Sequence, residues 1–300
     1  MESPTLEIQE DANGLFNQLW QIYHESTHNP SPTPVTLRRR DLDAWSNRGE
    51  ALKYVVAEKN DGARASVLFG RTNNTKEECY TVLIQRNREM VMLPTAYADE
   101  DLFDGTLLDG EWMESGAFRI FDVVSSKGYS KKKKTFPERL KEAERIIKLA
   151  RPDGWSWDVK TFWPLSAVGK LQERIQQGAL GRSDGLIFMP INDPITTGRA
   201  ENMKKWKPTQ SNTIDLEYSG QEWQCIGADN TPVKYDVVLD GVHHALGIFE
   251  LSPLDNGKRW RVKMQRDDKT VPNHINTILK TIDTIREDID LEEIITIFQE

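Results

Sequence analysis

The run KNDGAR at residues 59–64 is the most chemically suggestive stretch of this chain. An apolar segment, Val55-Val56-Ala57, leads into Lys59, Gly62 permits a tight turn, and a basic residue, Arg64, follows on the next segment. A lysine amine is a nucleophile only when neutral, which like charges nearby and desolvation favour. The plainer alternative is a β-hairpin carrying a solvated lysine, because so short a pattern arises by chance in on the order of one chain in a few hundred. Further along, Lys205 and Lys207 in MKKWKP at 203–208 share one face by strand alternation. An exposed edge strand would read the same way. Acidic residues stand at Glu111 in LLDGEWM and at Asp184 in SDGLIFMP, where Asp-Gly is also a common turn pair. A last charged group, Arg266, Asp268 and Lys269 in RDDKTVPN, fits either a phosphate contact or a charged loop between strand and helix.

The elements that must position these residues follow from periodicity. Leu15, Phe16, Leu19, Trp20 and Tyr23 mark a helix over about 12–25, and three prolines make 29–34 a loop. Short β-type segments at 53–57, 66–69, 81–84, 91–93, 106–109 and 118–124 predict a largely antiparallel, meandering sheet. A helix starts at Thr135, with Glu138 completing a capping box and Leu140, Ile147 and Ala150 as its apolar face. A second helix runs over about 166–177 and stops at Gly178. Strands are expected at 186–189, 203–207 and 213–218. Beyond Asp215, segments at 222–228, 233–240, 245–251 and 259–264 suggest a small barrel. The C-terminus is helical, through Ile275, Ile278, Leu279, Ile282 and Ile285 and then a helix capped by Asp290.

Composition sets the class. Among 300 residues, 38% are hydrophobic and 29% charged, as in ordinary globular proteins. No apolar run approaches the roughly 20 residues of a membrane span, and the acidic start MESPTLEIQEDANG is not a targeting signal. Cys79 and Cys225 are too few and too far apart for a disulfide framework or a structural zinc site. A net charge of −8 taken alone argues against a nucleic-acid partner. The run Lys131–Lys134 is the one local exception that could meet RNA phosphates, unless it is simply a solvated loop.

The motifs KNDGAR, LLDGEWM, FRIFDVV, SDGLIFMP, MKKWKPTQSNTIDL and RDDKTVPN, in that order over about residues 33–300, resemble those of the covalent nucleotidyltransferases. That superfamily joins polynucleotide ligases and mRNA capping guanylyltransferases. KWKP followed by NTIDL, Asp-Gly rather than Glu-Gly at 184–185, and the DK-then-PN order are similar to the capping branch, in its compact, single-function viral form. One departure is Met264, where many cellular capping enzymes carry Arg.

The resemblance implies an α+β chain with a nucleotidyltransferase domain (ATP-grasp-like antiparallel sheets with helices) over 1–214. An OB-fold β-barrel lid with C-terminal helices would occupy 215–300, its last helix free to pack back on the first domain. It also implies that Lys59 attacks the α-phosphorus of GTP, with Lys205 and Lys207 offsetting phosphate charge. Asp61 and Gly62 belong to the same motif. Arg64 and Glu111 would hold the ribose, Glu111 and Asp184 would bind Mg2+ or Mn2+, and Phe121 would stack on guanine. Lys170 is the candidate for reading guanine O6, because an ammonium there favours guanine over the amino group of adenine. Arg86 would contact ribose or phosphate, and Arg266, Asp268 and Lys269 would reach the β and γ phosphates.

The expected reaction is therefore transfer of GMP, through a lysyl-GMP, to a 5′-diphosphate RNA, giving the GpppN cap. The alternatives are an ATP-dependent polynucleotide ligase and a catalytically silent RNA-binding relative. A monomer is expected, with no membrane contact. An RNA triphosphatase and a cap methyltransferase would be supplied by other proteins, with an RNA polymerase as a further partner. The location would be intracellular: host cytoplasm or nucleus for a viral source, nucleus for a cellular one.

Overall fold

The computed structural model describes residues 2–22, 29–48, 50–73, 78–242 and 245–299. The chain begins with α1 (Leu6–Trp20), β1 (Thr33–Thr36), α2 (Arg39–Arg48), β2 (Tyr54–Asn60), β3 (Ala63–Arg71), β4 (Cys79–Gln85), β5 (Met90–Met92) and β6 (Thr95–Ala98). Next come β7 (Thr106–Trp112), β8 (Ala117–Ser126), β9 (Tyr129–Ser130), α3 (Phe136–Ile146), β10 (Ala150–Pro152), β11 (Ser156–Val159), β12 (Trp163–Pro164) and α4 (Val168–Gln176). The chain continues with β13 (Ser183–Pro190), β14 (Arg199–Trp206), β15 (Ile214–Tyr218), β16 (Trp223–Ile226), β17 (Pro232–Lys234), β18 (Gly247–Leu254), β19 (Arg259–Gln265), α5 (Ile275–Glu287) and α6 (Leu291–Gln299). Two compact units result: Met1–Val35 with Leu52–Leu165 and Lys170–Lys205, and Thr36–Ala51 with Ser166–Gly169 and Trp206–Glu300.

The first unit is built on two main sheets. One has the order β1-β14-β13-β2-β12, the other β11-β8-β7-β3-β4-β5 with β9 beside β8. The second is antiparallel from β8 to β5, with β11 added in parallel. Its two faces bury separate cores, one around Val67, Phe69, Phe118 and Ile120 and the other around Phe16, Trp20, Leu68 and Val82. Alternation along β3 explains the split, since Val67 and Phe69 face one way and Leu68 the other.

Helix α1 begins earlier than the apolar pattern predicts, because Thr5 caps it by accepting from the Ile8 amide. Ile8, Ala12, Phe16 and Trp20 form its buried stripe, and Tyr23 lies outside the described residues. In α3 the Thr135–Glu138 box is present, the Thr135 amide and hydroxyl donating to Glu138 at 2.8 and 2.7 Å. Its buried face is Phe136, Arg139, Ala143 and Ile146; of the expected residues, Ile147 packs on the same core from the C-cap and Ala150 is buried just beyond the helix, at the start of β10, whereas Leu140 gives its place to Arg139. The reason is electrostatic. Arg139 is buried and forks onto Asp122 of β8 at 2.6 and 3.1 Å, so a charged residue belongs to the core stripe. In the sequence it reads as surface.

In the second unit the strand order is β17-β16-β15-β18-β19, an open antiparallel sheet whose core includes Ile214, Leu216, Phe249 and Trp260. This corrects the expected barrel. The segment after β17 turns Tyr235, Val237 and Leu239 into the core while its backbone crosses toward β19. There, among the described residues, it makes only the Leu239–Trp260 bridge, and no ladder closes the sheet. In α5, Ile278 and Ile285 are buried but Leu279 is half exposed. Helix α6 packs on α2, with the Trp45 and Phe298 rings 5.8 Å apart. No helix among the described residues is long and apolar enough to cross a membrane.

Candidate active site

Strands β2 and β3 are joined by the Asp61-Gly62 turn but belong to different sheets, so the turn is not a hairpin. It passes the chain from one sheet to the next and thereby brings Lys59 and Arg64 to one cavity of about 150 Å3. Gly62 is required for this. A Cβ there would stand 2.8 Å from Glu111 Cγ and 2.9 Å from the Trp112 carbonyl. Asp61 itself is exposed, with the more distant Arg182 at 3.9 Å.

Lys59 donates to Asp184 at 2.8 Å, the carboxylate arriving from an irregular stretch at the start of β13. The group directly on Lys59 is thus an anion, where the sequence pattern pointed to the cations Lys205 and Lys207. Arg64 forks onto the buried Asp109, donates to the Pro32 carbonyl, and lies over the Phe121 ring at 5.0 Å. Glu111, opposite Arg64 in the β3–β7 register, accepts from the Gly62 amide. Burial pushes its carboxyl above the ordinary value, against the pull of Lys160, Lys59 and Arg64.

The floor of the cavity is the segment after β11. The Lys160 amide continues the β11–β8 pairing by donating to Ile120, and Trp163 pairs with Val56 of β2, so residues 160–163 tie one sheet to the other. Between these ties sit Lys160 and Phe162. The Lys160 ammonium donates to Asn60 at 2.6 Å and stands 3.6 Å from Glu58, while Phe162 meets Phe136 edge-on at 4.7 Å. Burial lowers the Lys160 pKa, while Glu58 and Glu111 act to raise it.

The cavity therefore gathers Lys59, Arg64, Glu111 and Phe121 as expected. Lys170 and Arg86 are not brought to it: both are exposed and neither lines the cavity. The reason is placement: Lys170 faces solvent from α4, and Arg86 sits in the turn between β4 and β5. On β14, Met203 lines the cavity and Lys205 shares its face by alternation, whereas Lys207 follows the strand. The Lys131–Lys134 run is drawn onto α1 and α3. Lys131 pairs with Glu142 at 3.2 Å, Lys134 with Glu138 at 3.7 Å, and Lys132 donates to the Trp20 carbonyl.

Residues the sequence reading passed over are Asp109, Lys160, Phe162 and Asp215. Lys160 carried a faint signal, a lone cation in the strand-like SWDVKTFW. Asp215 stood in the NTIDL motif without a role. In the second unit it is buried and receives Arg266 at 3.2 and 3.4 Å, Lys269, and Asn273 at 3.4 Å. Its backbone also pairs with Asn273 in both directions at 2.8 Å. Asp268 grips Arg266 from the other side, at 2.8 Å to each nitrogen, which holds the Asp268 carboxyl down at about 2. The NTID and RDDK-PN motifs are thus two halves of one ionic cluster.

For a divalent cation, Glu111 and Asp184 both act on Lys59, one through its field and one by direct contact. Among the described residues there is no cluster of three or more His, Cys, Asp or Glu that could hold a metal. Two carboxylates do suit Mg2+, which commonly takes one or two from protein and the rest from substrate phosphates and water.

Residues 4–209 match the family model of the mRNA capping enzyme catalytic domain, and residues 193–295 that of the mRNA capping enzyme C-terminal domain. The chain is 25% identical over 311 residues to the mRNA-capping enzyme subunit alpha of Yarrowia lipolytica, covering 85% of this chain and 78% of that protein. It is 24% identical over 302 residues to the mRNA-capping enzyme of Caenorhabditis elegans, again 85% of this chain but 46% of that longer protein. Among solved structures, mycobacterial DNA ligase D complexed with ATP and MES aligns at a TM-score of 0.45 and 14% identity, covering 82% of this chain and 97% of that one. With both of its halves matched by the models of one family, the chain belongs to the mRNA capping enzymes.

Proposed function

We propose that this chain is an mRNA guanylyltransferase that transfers GMP from GTP to the diphosphate end of RNA. The observation that carries the reading is the meeting of Lys59 and Arg64 from two sheets over one cavity that also holds Phe121, Glu111 and Lys160. In the first step Lys59 Nζ, having lost its proton, forms a bond to the α-phosphorus of GTP as the bond to pyrophosphate breaks. In the second step a terminal oxygen of the RNA diphosphate displaces Lys59 and leaves as GpppN. Splitting the transfer in two lets one cavity serve both partners.

Asp184 orients the Lys59 amine before substrate arrives. Arg64, fixed by Asp109, and Glu111 hold the ribose, and Phe121 stacks on the base. Lys160 takes the base-reading role that the sequence pattern gave to Lys170, because it projects into the cavity beside both phenylalanines. Lys205 and Lys207 face the α-phosphate, and Arg266 and Lys269 serve the β and γ phosphates. A Mg2+ or Mn2+ ion held by Glu111 and Asp184 would supply further positive charge at the phosphates. The name of the Yarrowia relative, a subunit alpha, fits a chain that works beside a second polypeptide, here an RNA triphosphatase.

Incubation with Mg2+ or Mn2+ and α-labelled GTP or ATP, followed by a denaturing gel, tests the reading. Label retained from GTP and not from ATP is the expected result. Label from ATP would instead make the chain a ligase, and no label from either nucleotide would make it a silent relative.

A further inference from the structure

Glu58, the residue before the nucleophile, is buried, yet it points away from Lys59 by strand alternation and meets two cations. Lys160 Nζ and Arg119 Nη1 each stand 3.6 Å from it. Arg119 is anchored from outside, by Asp158 at 3.2 and 3.1 Å and by the Leu180 carbonyl at 3.1 Å. Lys160 is anchored within, by Asn60 at 2.6 Å. The carboxylate is therefore shared between a cation of the cavity and a cation of its outer wall. A group that only neutralised buried charge would need one of them.

We propose that Glu58 is a positioning residue for base selection, holding the Lys160 ammonium in place and charged against the nucleotide, with Arg119 competing for the same carboxylate. This rests on the reading that Lys160 contacts the base. The chemistry follows from what each form of the amine can do. An ammonium only donates, so it accepts guanine O6 and rejects the adenine amino group, whereas a neutral amine has a lone pair that adenine can use. Discrimination against ATP thus depends on Lys160 keeping its proton. The charged and titratable groups that act on it are Glu58 on β2, Glu111 on β7 and Arg119 on β8. Burial works against the proton, the two carboxylates favour it, and Arg119 opposes it.

The test is the ratio of kcat/KM for lysyl-nucleotide formation with GTP to that with ATP, measured from pH 6.5 to 9. Any pH effect common to the two nucleotides cancels in the ratio. Glu58→Gln removes an anion, so Lys160 loses its proton at lower pH. The ratio is expected to fall by about tenfold at the alkaline end, the worth of one lost charged contact, and to recover on acidification. Arg119→Gln removes the competing cation and is expected to move the same limb toward higher pH. Opposite displacements are the signature, since a merely structural role would not produce them. An unchanged ratio in Glu58→Gln across the range would overturn the proposal. If that variant fails to fold, Arg119→Gln decides, and an unmoved limb there overturns it. If Lys160→Met retains the GTP preference, the base-contact reading fails and the proposal falls with it. A preference lost in Lys160→Met but intact in both other variants removes the proposal alone.

Discussion

The ionic cluster of the cavity and the one around Asp215 are assembled in different ways. In the cavity, each cation is held by a residue far away in sequence: Lys59 by Asp184, Arg64 by Asp109, Lys160 by Asn60. Around Asp215, by contrast, Arg266, Lys269 and Asn273 come from one short stretch, and Asp268 folds back on Arg266 from two residues away. The first arrangement is fixed by the pairing of whole sheets, and its Asp109 is buried while Asp184 is partly exposed. The second draws its donors from one stretch but anchors them on the buried and distant Asp215, while its outer carboxylate, Asp268, is exposed. A phosphate replaces an exposed carboxylate on an arginine fork far more readily than it displaces a buried one. The cavity is thus suited to hold one geometry, and the Asp215 cluster to exchange partners.

Substitutions break this contrast at different points. Lys59→Ala has the largest expected effect: no covalent nucleotide at all, with circular dichroism and melting temperature unchanged because the side chain is partly exposed. Asp109→Ala comes next, as it strands Arg64 beside a buried gap. We expect a loss of about 3 kcal/mol in urea unfolding and a severe drop in labelling. Were Asp109→Ala as stable as the parent, the cavity ions would be no more fixed than the outer ones. Lys160→Met should cost GTP use about 2 kcal/mol, roughly thirtyfold in kcat/KM, while Lys170→Ala leaves it unaltered. Reversal of those two results would restore Lys170 to the site.

The smallest effect concerns Asp268 and acid. Its carboxyl is held down at about 2, so the stability it contributes is complete above the ordinary carboxylate range and disappears as pH falls toward 2. Carbon-13 NMR of labelled Asp should show this depressed titration in the parent. In Arg266→Ala the Asp268 carboxyl should return to its ordinary range, and failure to move would mean the fork does not hold it.

The motif residues were legible because their order is rigid and their chemistry is local: a lysine before a glycine turn, a carboxylate after Asp-Gly, an Arg-Asp-Asp-Lys run. Lys160 was not, because its place in the cavity depends on a tie between two sheets that no local pattern reports. Lys170 was chosen instead for being a lysine in the right part of the chain. Arg139 misled in the opposite direction, since its charge hid a core position that only Asp122, on a distant strand, makes tolerable. The barrel failed for a related reason. The segment 233–240 does pack Tyr235, Val237 and Leu239 on the core, but a strand-like composition says nothing about whether the backbone finds a partner along its whole length.

The pairing of β2 with β13 has a consequence for the making of this protein. The strand that carries Lys59, at 54–60, finds its long antiparallel neighbour only at 183–190, the short β12 on its other side emerging at 163–164. At usual rates of synthesis the interval between their emergence is on the order of ten seconds, during which Tyr54-Val55-Val56-Ala57 has an open edge on that side. Such edges invite wrong partners. Slowing translation between these segments, or withdrawing chaperones, should reduce the yield of labelling-competent enzyme more than synonymous pauses placed after residue 206.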